Sequence, residues 1–252
     1  MGVRGKAYLK RIDVGYVGQL SRVFEGGYMI VPELMGSSAV DPGKAAVLSS
    51  GKIVAYTSGA TVYGWVLRAF PGQSQSWENS ANDFNDASQW APGFPVPVLR
   101  RGYFTTTIQS GAASKGGAVY VRKVALRSLV VGGIEDGTVR KATVTPGTNT
   151  GNGTCVVSDV ANDVAAATLT LTMTSATAFT ITIGGTAYTG VAGTLFSKAG
   201  VTLMVTAGGT AFVANDAFSI VVAVDTDIAA VTDALFTGPA SADGVVEIAY
   251  RV

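Results

Sequence analysis

The chain contains no histidine, and that one absence removes a large share of known chemistry. Ser–His–Asp and Cys–His nucleophilic pairs, imidazole proton shuttles and histidine metal ligation are all excluded. Cysteine is nearly absent as well. Cys155 stands alone, so one chain can form neither a disulfide nor a thiolate metal cluster. Its setting, Thr154-Cys155-Val156-Val157, is strand-like and gives it the role of a small buried hydrophobe. Charge is scarce, at 14% of 252 residues. No apolar run approaches the roughly 18 residues that a membrane-spanning helix needs. The basic start, Met1-Gly2-Val3-Arg4-Gly5-Lys6, has no apolar stretch behind it, so no secretion signal is expected. Lys6 also stands where a myristoylation motif needs Ser or Thr.

What is present points to β-structure. The chain has 32 glycines, abundant Thr and Val, and few Leu-rich helical stretches. Its mean hydropathy of +0.35 is high for so little charge, so strands must be covered on both faces or by neighbouring subunits. The composition then breaks. Residues 137–222 hold 19 threonines and only six charges: Arg140, Lys141, Asp159, Asp163, Lys198 and Asp216. One β-rich unit is read as spliced into another. Charge is polarised along the chain, with a net +7 over residues 1–134 and −6 over 135–252. Such polarity suits head-to-tail or mixed-sign association. The only dense basic group is Arg4, Lys6, Lys10 and Arg11, too scattered elsewhere for a nucleic-acid surface.

Residues 1–38 are basic and broken by glycine and Pro32, and read as an extended N-terminal arm. Beyond Asp41-Pro42-Gly43, residues 45–48 and 52–56 flank the turn Ser49-Ser50-Gly51 as a hairpin. Residues 62–70 are apolar on both faces and read as a central strand, with Gly64 leaving room beside Trp65. Residues 71–97 set Trp77, Phe84, Trp90 and Phe94 among amides, acids and prolines, the make-up of an interaction loop. Arg100-Arg101-Gly102 reads as a turn between two strands. In the block, Leu169, Leu171 and Met173 alternate with threonines, as do Phe179, Ile181, Ile183 and Val201, Leu203, Val205. Gly184-Gly185 and Gly208-Gly209 read as hairpin turns. Residues 225–236 space Ile228, Val231 and Leu235 as on a short helix, and 245–252 form a closing strand that pairs with residues 40–130. The fold class is all-β: a sandwich or barrel body (39–136 plus 223–252), an inserted small β-sandwich (137–222) and the arm (1–38).

The search for a catalytic constellation returns little. No phosphate-binding glycine loop follows a strand. Asn82-Asp83-Phe84-Asn85-Asp86 lacks the glycine and terminal glutamate of a calcium loop. Asn152-Gly153-Thr154 matches a glycosylation acceptor but reads more simply as a turn. A two-carboxylate glycosidase would draw on Glu78, Asp83 and Asp86 near Trp77 and Trp90, with no spacing that favours it. No cofactor, metal or catalytic residue is assigned.

Several short patterns do resemble a known family. Asp41-Pro42-Gly43-Lys44-Ala45-Ala46-Val47, Tyr63-Gly64-Trp65-Val66-Leu67-Arg68, Pro97-Val98-Leu99-Arg100-Arg101-Gly102-Tyr103, Lys115-Gly116-Gly117-Ala118-Val119-Tyr120-Val121 and Gly244-Val245-Val246-Glu247-Ile248 resemble the structural cement, or capsid decoration, proteins of tailed bacteriophages. The stretches 147–154 and 205–216 are similar to a small β-module of phage head decoration proteins, with Asn215-Asp216 where that pattern has Gly-Asp. The resemblance implies a non-enzymatic protein on the outer capsid surface that clamps neighbouring major capsid subunits. It implies self-association, a homotrimer before a homodimer, and an outward-projecting 137–222 module. The expected contact residues are Arg4, Lys6, Lys10, Arg11, Tyr28, Trp77, Phe84, Trp90, Phe94, Arg100 and Arg101. The rival reading is a tail, fibre or virion adhesin that binds a cell-surface glycan on Trp77 and Trp90.

Overall fold

β-Branched and aromatic residues in period-two runs favour extended backbone, and they produce strands along the whole chain. The computed structural model of the protein describes residues 17–22, 26–68 and 92–252. Among these residues every regular element is a strand. They fall into two units, residues 1–137 with 227–252 and residues 138–226.

The first unit contains β1 (Met29–Leu34), β2 (Ala45–Ser49), β3 (Lys52–Ala55), β4 (Gly64–Val66), β5 (Pro95–Ser110), β6 (Ala118–Arg122) and β7 (Ile134–Glu135). Late in the chain it gains β16 (Ile228–Phe236) and β17 (Val245–Tyr250). The long strand β5 belongs to two rings of pairing. Its first half pairs with β1 on one side and β4 on the other. From β4 the ladder continues to β2 and β3, and a Met35–Ile53 bridge returns it to the end of β1. Its second half pairs antiparallel with β17 and parallel with β7, while β16 and β6 close that ring.

Gly102 sits at the joint between the halves. Its φ is +134°, and a Cβ there would lie 2.3 Å from Cδ1 of Tyr28. Glycine lets the strand change partners while the Tyr28 ring fills the vacant space. The turn expected at Arg100-Arg101-Gly102 is therefore continuous strand: β5 changes sheets without reversing direction. Gly64 has a different reason from the one expected. A Cβ there would meet the Leu99 carbonyl oxygen at 2.6 Å, so it is β5, and not the Trp65 ring, that demands glycine.

Two cores result. Trp65 is fully buried, its ring 4.7 Å from Phe104 and edge-on to Tyr250, among Val119, Val121, Ile134, Phe236, Val246 and Ile248. On the other face of β4 and β5, Met35, Ile53, Val66, Val96 and Val98 form a second cluster. Burial on both faces explains why residues 64–66 read as continuously apolar. The β2–β3 hairpin closes on Ser50 and Gly51, with φ +49° and +72°, the mirror-image turn that matches strand twist.

The short helix expected over 225–236 is instead β16. Its pairing with β6 advances five residues, Ala230 to Leu235, while β6 advances two, Tyr120 to Ala118. Asp233 takes φ +61° within this bulge. The bulge shifts the inward face, so Val231, Ala234 and Phe236 are buried while Leu235, part of the expected helical stripe, is 48% exposed.

The second unit contains β8 (Arg140–Pro146), β9 (Thr154–Val160), β10 (Ala167–Met173), β11 (Ala178–Ile183), β12 (Thr186–Val191), β13 (Phe196–Lys198), β14 (Val201–Thr206) and β15 (Ala217–Val224). A five-stranded sheet, β12-β11-β10-β15-β8, and a three-stranded sheet, β13-β14-β9, enclose one core. Leu169, Leu171, Met173, Phe179, Ile181, Ile183, Val201, Leu203 and Val205 all point into it, as the alternation requires. Gly184-Gly185 is a hairpin turn, with φ +57° and +83°. Gly208-Gly209 is not. It lies in the loop between β14 and β15, where a Cβ on Gly208 would sit 2.1 Å from Oδ1 of Asn152.

Candidate interaction surface

Cross-strand pairing places Ile30 opposite Leu99, Pro32 opposite Pro97 and Leu34 opposite Pro95. Paired residues share a face, so these side chains make one strip that runs out from the Trp65 core to the surface. Along it Ile30 is 40% exposed and Leu34 49% exposed, and Pro32 and Pro95 are also exposed. Phe94, 49% exposed, precedes Pro95 in the chain, and its carbonyl oxygen accepts a hydrogen bond from the Met35 amide at 2.8 Å. Pro32 has no N–H, so the outer edge of β1 is a poor template for another strand. The strip is suited to contact through side chains. Contiguous apolar surface of this kind marks a binding site, whereas scattered single residues do not.

On the opposite face of the same strands, the Arg100 guanidinium lies 3.7 Å above the Tyr63 ring. The Tyr63 hydroxyl donates to the Glu33 carboxylate. That hydrogen bond raises the Tyr63 pKa above its ordinary value, helped by burial and the Glu33 charge and opposed by Arg100. Nε and Nη1 of Arg100 are buried and have no hydrogen-bond partner among the described residues. Tyr63 packs against the Met35 cluster, and this distance from cation to ring is suited to cation–π attraction.

Residues 17–22, within the stretch expected as an arm, are laid along β5. Gly18 N–H donates to the Thr105 carbonyl at 2.7 Å, and Thr105 N–H donates to the Gln19 carbonyl at 3.0 Å. Arg22 then pairs with Glu247, its Nε 2.9 Å from Oε1, and its guanidinium lies 4.8 Å over the Tyr103 ring. Desolvation works against the Glu247 charge, but donors from Arg22 and Thr237 help to outweigh it and hold the carboxyl below its usual range.

Of the contact residues expected from sequence, Phe94 is exposed immediately before β5, Arg100 lies within β5, and Arg101 is exposed opposite Met29. Tyr28 is half-buried against the Trp65 core and fills the space above Gly102. Arg4, Lys6, Lys10, Arg11, Trp77, Phe84 and Trp90 lie outside the described residues, as do Glu78, Asp83 and Asp86. Sequence reasoning missed Ile30, Leu34, Glu33 and Tyr63. Exposure of the first two depends on the pairing register, and the Glu33–Tyr63 contact joins strands 30 residues apart.

In the second unit the polar groups hold loops together. Asp216 accepts from the amides of Thr150 at 2.8 Å, Gly151 at 2.9 Å and Val213 at 3.0 Å. Desolvation raises its pKa, but those three donors prevail and hold it below the ordinary carboxylate value. Asn149 grips the backbone of Ala217 with both ends of its amide, at 2.7 and 3.0 Å. Asn152 Oδ1 accepts from the Thr210 amide at 2.8 Å. These contacts join 147–154 to 208–217, so each family-like stretch in the module serves to hold the other. Burial raises the Cys155 thiol pKa to about 11, which keeps it protonated and unreactive. Among the described residues no group of three or more Cys, Asp or Glu is placed to hold a metal ion. An open depression of about 470 Å³ lies between Asp233, Leu235, Ala249, Arg251 and Val252.

Comparison with known proteins gives one family. The family described as XM1 gp53 minor capsid protein matches residues 5–175. A chain in the solved capsid of Myoviridae phage XM1 is similar at 13% identity, with a TM-score of 0.44. That alignment covers 93% of this chain and 88% of the other. No curated protein matches.

Proposed function

Because this chain belongs to the XM1 gp53 minor capsid protein family, a structural component of a phage capsid, we propose that it acts as a cement protein. It binds the outer surface of the assembled shell and bridges neighbouring major capsid subunits. The reading assigns no chemical step to it. A ligand that binds the assembled state better than loose subunits stabilises the assembly by mass action. Many modest contacts repeated over a lattice suffice, since each tethered copy raises the effective concentration of the next.

The observation that carries the reading is the strip formed by Ile30, Pro32 and Leu34 with Pro95. A face on which exposed apolar side chains stand side by side, as Ile30, Pro32 and Leu34 do, is suited to covering by a partner. On this reading the first unit grips the shell, and residues 138–226 project from it.

The test is direct. Purified protein mixed with expanded, undecorated capsids should bind to saturation at a fixed stoichiometry and raise the temperature at which the shells open. Binding to host cells or glycans with no binding to capsids would sink the proposal in favour of an adhesin.

A further inference from the structure

The second unit has four strands at sheet edges, and three of them are blocked. β8 carries Arg140 and Lys141 and ends in Pro146. β9 carries Asp159 and is bulged against β14, where the register shifts between Thr202 and Leu203. β13 has three residues and includes Lys198. Charge, proline, bulges and shortness are the devices by which sheets prevent strand addition. β12 has none of them. Its sequence, Thr186-Ala187-Tyr188-Thr189-Gly190-Val191, is uncharged, and its six residues pair with β11 in unbroken register.

The turn determines which of its backbone groups face outward. Ile183 and Thr186 close the two-residue Gly184-Gly185 turn, so they form the hydrogen-bonded pair next to it. Alternation then turns the N–H and C=O of Thr186, Tyr188 and Gly190 toward β11. Those of Ala187 and Thr189 point away from the sheet, and both residues are exposed.

We propose that β12 is a self-association edge, which pairs antiparallel with β12 of a second copy across a two-fold axis and merges two five-stranded sheets into one. A second copy is the occupant because the edge complements itself. The outward groups bring Ala187 opposite the copy's Thr189, and Thr189 opposite its Ala187, so every donor meets an acceptor. The axis passes beside Tyr188, whose ring, packed 6.5 Å from Phe196, meets its symmetry mate on the core side. With no charge on either strand, the two edges meet without repulsion and without a buried ion to desolvate. The inference stands independently of the capsid reading.

Sedimentation of the full chain over a concentration series tests it, with circular dichroism as the check on folding. The wild-type chain should form a reversible dimer. Ala187→Lys, a change at an exposed position, should abolish the dimer through like-charge contact and leave the spectrum unchanged. Thr189→Pro, which removes an outward N–H, should do the same, and Ala187→Lys decides the matter should Thr189→Pro unfold. In concentrated wild-type samples the amides of Ala187 and Thr189 should gain protection from hydrogen exchange. A wild-type chain that stays monomeric at its highest soluble concentration would overturn the proposal. So would a dimer or trimer that persists in Ala187→Lys.

Discussion

Removing one half of the buried Arg122–Glu135 pair should damage the first unit severely, whereas removing both halves should not. Both side chains are fully buried, on β6 and β7. Nη2 of Arg122 donates to Oε2 of Glu135 at 2.8 Å, and Nε donates to Oε1. Gln109 Nε2 donates to the same carboxylate at 2.9 Å and also reaches the Val130 carbonyl at 3.2 Å. Glu135→Leu strands a guanidinium away from water, a cost of about 3–5 kcal/mol. For a unit of this size that is a fall in Tm of roughly 10 °C. Arg122→Met with Glu135→Leu removes both charges and leaves Gln109 its Val130 partner. That variant should lie between no change and a gain of about 4 kcal/mol. The assay is denaturant unfolding followed by tryptophan fluorescence. All three tryptophans, Trp65, Trp77 and Trp90, fall in residues 1–137, so the signal reports on the first unit alone. A single substitution costing less than about 1 kcal/mol, or a double costing as much as the single, would show that the pair is not the desolvated unit described here.

Gly102→Ala should destabilise the first unit by about 1–3 kcal/mol in the same assay, since it forces a Cβ against Tyr28 at a strained φ. Ile30→Asp with Leu34→Asp should leave that unfolding curve in place. It should weaken capsid binding at least roughly tenfold, about 1.4 kcal/mol, in a sedimentation assay with empty shells. Asp216 has a depressed pKa, so its contribution is full above the unfolded carboxyl pKa and is lost as pH falls through the folded one. Below about pH 4 the Thr150, Gly151 and Val213 amides should therefore lose protection from exchange relative to the intrinsic rate at that pH, and Asp216→Asn should show the same loss at neutral pH.

Where local pattern and tertiary environment agreed, the chain could be read directly. The threonine alternation at 168–174, 178–183 and 201–206 gave the strands and the inward face of the second unit, because each is half-buried in an antiparallel sheet. Where a strand is irregular, the local pattern misled. Arg100-Arg101-Gly102 carries turn residues because β5 must bend between two rings. Over residues 225–236 the helical spacing of Ile228, Val231 and Leu235 was misleading, because the bulged strand buries Val231, Ala234 and Phe236 and leaves Leu235 exposed. Gly208-Gly209 looks like Gly184-Gly185, yet one is forced by Asn152 and the other by a hairpin.

The amino-acid sequence alone was enough to specify an all-β chain without histidine chemistry, because composition and period-two burial are local properties that need no knowledge of neighbours. It also marked the change in composition over 137–222. Only the tertiary structure could show that Ile30 and Leu34 are exposed, that Arg100 rests on Tyr63, that Arg122 finds Glu135 in a dry interior and that β12 ends a sheet. Each of these depends on which strand lies beside which and in what register, and pairing between distant segments is decided by the whole fold.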